Sequence, residues 1–128
     1  MEKQFLITSN LEKKYILLNL CGHINGQAVN ELRLEIIPLL ELFDEPISLI
    51  VDTREMTGNV LDAIDELRQL WADYERTSVG QIIRIFKDDW DDQGTKITDQ
   101  FHLKSIRKIN VTRMNEAIRY CESFSEAG

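Results

Sequence analysis

The sequence has few of the residues that staple or specialise small folds. It contains two cysteines, Cys21 and Cys121, two histidines, His23 and His102, and two prolines. Two distant cysteines make neither a metal nor a redox motif, and they are too few for a disulfide framework. Cys21 ends an apolar strand pattern and Cys121 falls on an apolar helical stripe, so both read as small buried hydrophobes. The histidines have no spacing that suggests a metal site. His23 beside Gly22 reads as a turn residue. As a base for Cys21 it lacks an identifiable orienting acid, so no catalytic residue is assigned. Positive charge is also scarce. Lys and Arg number 15 against 22 Asp and Glu, a net charge of -7. That argues against nucleic acid as a partner and against a polybasic membrane anchor. No apolar run is long enough to span a bilayer. There is no internal repeat, linker or low-complexity tract. Met1-Glu2-Lys3-Gln4 leads directly into a strand pattern rather than a signal peptide, so the expected compartment is the cytoplasm.

What is present is ordinary globular composition. The 128 residues are 43% hydrophobic and 29% charged, which suits one domain, residues 1–128, with a core of its own. The organising stretch is Ile47-Ser48-Leu49-Ile50-Val51-Asp52. It is nearly all apolar, rich in β-branched residues and opened by Pro46, as a strand buried on both faces should be. The apolar run ends at Asp52. Polar Thr53-Arg54-Glu55 and a Thr57-Gly58-Asn59 turn follow. This places a loop at the carboxyl edge of a sheet, where open α/β folds do their recognition.

Around this strand the pattern predicts a hairpin of residues 5–8 and 15–20 with a polar turn between them. The second strand of that hairpin reads as internal to the sheet. Asn25 is positioned to cap a helix from about Gln27. Val29, Leu32, Ile36, Leu39 or Leu40, and Phe43 give that helix one apolar face, with a kink or restart expected at Pro38. Asn59 is the expected cap of a second helix whose stripe is Val60, Ile64, Leu67, Trp71 and Tyr74, with Asp62 at the positive end of its dipole. Trp71 and Tyr74 either close the core or line a cleft. A strand over residues 82–86 follows, then a polar segment, a short helix near 98–103, a short edge strand over 105–109, and a last helix from Thr112. That last helix turns Met114, Ala117, Ile118, Cys121 and Phe124 inward. Strand-helix-strand alternation implies right-handed crossovers and parallel pairing.

Asp89, Asp91, Gln93, Gly94 and Thr95 imitate the first half of a calcium loop. The final ligand position holds Gln100 instead of Glu, and a solvated acidic loop fits better, so no metal is expected. Basic residues gather late, at Lys104, Arg107, Lys108, Arg113 and Arg119, whereas the middle is acidic. This asymmetry fits either a docking surface or two ordinarily solvated helix faces.

With its order of strands and helices, the Gly22-His23-Ile24 break and Asp52 closing the third strand, the chain resembles the STAS domain, in particular its SpoIIAA-like branch of small bacterial proteins. The residues that carry the resemblance are Leu49-Ile50-Val51-Asp52-Thr53-Arg54, Ile83-Arg84-Ile85-Phe86 with Trp90, and Glu116-Ala117-Ile118-Arg119-Tyr120. The resemblance implies an α/β fold with a mixed, largely parallel sheet of four to five strands and helices mainly on one face. It also implies a non-enzymatic, cofactor-free regulatory domain that binds a protein partner or a small apolar or anionic ligand. The implied binding surface is the tip loop, Asp52, Thr53, Arg54, Thr57, Gly58 and Asn59, with Asn25 adjoining it. Anti-sigma-factor antagonists carry a phosphorylated serine there in Asp-Ser-Ser-Gly. This chain has Thr57-Gly58-Asn59-Val60 instead, and Thr57 is the hydroxyl nearest that place. A phosphate on Thr57 would meet a helix N-terminus, although a Thr before Gly is also plain turn chemistry. The alternative function is a carrier of an apolar, lipid-like ligand in a pocket between the second helix and the sheet. A homodimer is a further assembly to test.

Overall fold

Ile47–Met56 is the middle strand of a five-stranded sheet. In the computed structural model, residues 4–57, 61–87 and 105–127 are described. Their elements in chain order are β1 (Phe5–Asn10), β2 (Tyr15–Gly22), α1 (Gly26–Leu40), β3 (Ile47–Met56), a 3-10 turn (Leu61–Ala63), α2 (Ile64–Tyr74), β4 (Val79–Ile85), β5 (Arg107–Val111) and α3 (Met114–Ala127). The strands lie in the order β1-β2-β3-β4-β5. The β1–β2 hairpin is antiparallel, and every later pairing is parallel. The sheet is therefore mixed and largely parallel, β2 is internal, and β5 is an edge strand.

Side-chain alternation on β3 divides the core in two. Ile47 and Leu49 face α1 and α2, joined by Ile16 and Leu18 of β2 and Ile82 of β4. Ile50 faces the other way, with Ile83, Ile85, Ile109 and Val111, against Ala117 and Cys121 of α3. Two helices thus cover one face, and α3 covers β3, β4 and β5 on the other. A strand covered on both faces must be apolar at successive positions, which accounts for the unbroken run.

Among the described residues, the few polar side chains inside all have partners. Ser48 and Gln81 are each 1% exposed. Gln81 Nε2 donates to Ser48 Oγ at 2.8 Å and to the Tyr120 carbonyl at 3.2 Å, tying β3, β4 and α3 together. Arg84 is equally enclosed. Its Nε donates to Asn110 Oδ1 at 2.9 Å, and its guanidinium lies 5.7 Å from the Trp71 ring centroid and 5.6 Å from that of Phe86. Hydrogen bonding plus stacking is what allows a guanidinium to sit among aromatic rings.

Several expectations change. β3 does not end at Asp52 but runs to Met56, because Cys21 and Gly22 of β2 still pair with Glu55 and Met56 after a register shift. Thr53 and Arg54 are therefore strand residues, not loop residues. Cys21 is exposed. Cys121 is buried as expected, and burial pushes its thiol up to about 11. α1 passes Pro38 without a restart and ends at Leu40, with Leu40 rather than Leu39 buried. Pro38 lies in the last turn, where the helix has little left to lose. α2 begins at Ile64, after the 3-10 turn, and its N-cap position is Ala63, which offers no side-chain acceptor. Leu70, Trp71 and Tyr74 are buried, so these two aromatics close the core rather than line a cleft. The strand expected at 105–109 is shifted to Arg107–Val111, and the last helix starts at Met114. Gly58, Asn59, Val60, the Asp88–Thr98 segment with Trp90, the acidic loop, the short helix near 98–103, His102 and Lys104 lie outside the described residues.

Candidate functional site

The loops that follow β2 and β3 meet at the carboxyl edge of the sheet. Gly22 ends β2 with φ of 71°, a backbone that favours glycine. Its carbonyl accepts the Thr57 backbone N–H at 2.9 Å. Asn25 then caps α1, its Oδ1 accepting the Ala28 N–H at 2.9 Å. Gln4 Nε2 bonds the His23 carbonyl from the opposite side. The His23 ring meets Asp62 of the 3-10 turn, with Nε2 3.0 Å from Oδ2. Gly26 lies under Glu66, whose Oε1 would be only 2.5 Å from a Cβ at that position. A larger residue here would displace the Glu66 carboxylate. The approach brings a carboxylate to the first turn of α1, which has no acid of its own.

The β2–α1 loop is thus tied to the β3–α2 connection at two points, Thr57 to Gly22 and Asp62 to His23, and Glu66 of α2 lies close over Gly26 of α1. Thr57 is exposed at this seam. His23 does have an acidic neighbour after all. It comes from a residue distant in sequence, which no local motif signals.

Asp52 and Arg54 belong to a different place. Positions i and i+2 of a strand share a face, and these two close on one another on the α3 side of the sheet. Arg54 donates its backbone N–H to Asp52 Oδ1 at 3.1 Å, its Nε to Oδ1 at 3.0 Å, and its terminal nitrogen to Oδ2 at 2.8 Å. Burial by itself would raise the Asp52 pKa. The Arg54 side-chain and backbone hydrogen bonds and its charge outweigh that and hold the carboxyl below its ordinary value. The Asp52 bonds in turn raise the Arg54 pKa. A carboxylate held ionised by two parallel hydrogen bonds is a poor proton acceptor. Thr53, on the opposite face, donates its hydroxyl to the Ile85 carbonyl at 2.8 Å. Of the expected tip residues, the structure brings Asn25 and Thr57 to one edge, while Asp52, Thr53 and Arg54 are engaged within the sheet.

Among the described residues, no three His, Cys, Asp or Glu side chains are grouped to hold a metal ion. No helix described is long and apolar enough to cross a membrane.

The architecture matches solved structures over nearly the whole chain. An uncharacterised protein of the DUF3478 family with a SpoIIAA-like fold, from Shewanella loihica PV-4, is similar with a TM-score of 0.67 and 14% identity, covering 91% of each chain. The anti-sigma factor antagonist SpoIIAA in its unphosphorylated form is similar with a TM-score of 0.63 and 14% identity, covering 91% of this chain and 96% of that one. No protein-family model matches the sequence, and no curated protein matches it. The chain has a SpoIIAA-like fold.

Proposed function

We propose that this chain is a non-enzymatic regulatory domain that docks a protein partner at the seam between the β2–α1 loop and the β3–α2 connection. The observation that carries this reading is the stitching itself. Hydrogen bonds from Thr57 to Gly22 and between Asp62 and His23, with Glu66 of α2 close over Gly26 of α1, hold this exposed edge, a prearranged surface that loses little on binding. Asp52, engaged within the sheet, is clasped by Arg54 and is not a poised base. Capture of an anion is less well served. Asn25 already caps the start of α1, and Asp65 and Glu66 stand in the first turn of α2. The carrier reading is not favoured, because α2 fills its inward side with Leu70, Trp71 and Tyr74. The anti-sigma factor antagonist that shares the fold is a regulator by its name, which is consistent with docking.

The test is affinity capture from native cell extract with cross-linking and mass spectrometry, followed by titration of the purified partner. Thr57→Arg adds a long cation to the exposed seam and should weaken a specific partner about tenfold or more at unchanged melting temperature, as loss of a central contact does. A partner that binds Thr57→Arg and His23→Ala as well as the unaltered chain, or a lipid present one per chain in native mass spectra, would overturn the proposal.

A further inference from the structure

The outer side of α1 has a second feature, remote from the seam in its chemistry. Leu34 is 79% exposed and Leu42 is 74% exposed. With Pro38 they recur every fourth residue, so they form one apolar ridge along the helix and just past its end. Beside the ridge runs a groove of about 460 Å³, lined by Asn30, Arg33, Leu34, Ile37 and Pro38 of α1 and by Asp73 of α2. Single exposed leucines are commonplace, but an exposed leucine and a proline together on the wall of a groove are the form of a helix-binding surface.

Its charge says what kind of helix. At 100° per residue, Glu31, Glu35 and Glu41 fall along and beside the ridge, and all three are exposed. Arg33, on the α2 side, is held by Asp73 at 2.8 Å, and Asp73 also bonds Arg76. The cation lining this groove is therefore already neutralised. Residues 26–76 as a whole contain twelve Asp and Glu against four Arg. We infer that this ridge and groove form a docking surface for a basic amphipathic helix of a partner protein, its leucine-type residues beside Leu34 and Leu42 and its Lys or Arg facing Glu31, Glu35 and Glu41. A second copy of the chain fits poorly, since a two-fold interface would set these acidic rims against each other. An anionic lipid surface is disfavoured by the same carboxylates.

The probe is a synthetic peptide of about four helical turns, with Leu on one face and Lys elsewhere. Its controls are the same peptide with Glu for Lys, and the Leu34→Gln and Glu31→Gln/Glu35→Gln variants. Leu34 is so exposed that the substitution leaves the core intact. The Lys peptide should bind saturably, shift backbone amide NMR signals within residues 30–42, and weaken with added salt. Affinity should fall about tenfold in Leu34→Gln, the effect of losing one apolar anchor, and also in the double charge variant. Absence of saturable binding, equal binding of the Glu peptide, or amide shifts centred elsewhere would overturn the inference. So would self-association of the chain that Leu34→Gln abolishes, since the occupant would then be a second copy. Binding at the seam is read by Thr57→Arg, so either surface can fail without the other.

Discussion

Leu49→Ala and Ile50→Ala should each destabilise the fold by about 2–5 kcal/mol, the range for truncating a fully buried aliphatic side chain. Both residues are 0% exposed, yet they belong to separate clusters on opposite faces of β3. Their cavities share few neighbours, so the double variant should lose roughly the sum of the two. That sum is comparable with the whole stability of a domain of this size, about 5–15 kcal/mol. Urea denaturation followed by circular dichroism is the measurement, with midpoints falling at an unchanged slope in the single variants. A face open to water would show itself as one of the two variants costing almost nothing.

Arg54→Met should weaken the dependence of stability on acid. In the unaltered chain the Asp52 pKa is lower folded than unfolded. Its contribution is complete above the ordinary carboxylate value and is lost as the pH falls through the lower folded value. Arg54→Met keeps the backbone N–H at position 54 but removes the side-chain hydrogen bonds and the charge, so burial is opposed by one bond alone and the folded Asp52 pKa rises. The Asp52 carboxylate then contributes less to folding at neutral pH, and the difference fades as it is protonated. At pH 7 the variant should lose about 2–3 kcal/mol, because a buried carboxylate is left without its partner. Denaturation midpoints between pH 3 and 7 should show the loss shrinking with acid. A constant loss across that interval would mean that Arg54 contributes by packing alone.

The sheet was readable because burial on two faces forces a pattern that nothing else produces. Residues 47–51 announce a central strand, and the parallel neighbours follow from the intervening helices. Asn25 was equally plain, since a cap is a local event between near neighbours. The end of β3 was not. Thr53-Arg54-Glu55 look like a loop by polarity, but pairing with Cys21 and Gly22 of β2 keeps them extended, and the register shift that permits it leaves no mark on composition. The Asp52–Arg54 clasp is hidden by the same polarity. The exposure of Cys21 is not legible either, because an apolar run does not mark where its covering ends. The seam contacts, His23 with Asp62 and Glu66 over Gly26, join residues that only the fold brings together.

The most direct test of a surface made to present rather than to react is the titration of Asp52 itself. The carboxyl carbon resonance of selectively labelled Asp52 would be followed by NMR through the acid range. Clasping by Arg54 requires an inflection below 3.8, the ordinary value. An inflection near neutrality would reveal a carboxylate poised to take a proton, and a domain without chemistry would be the wrong description.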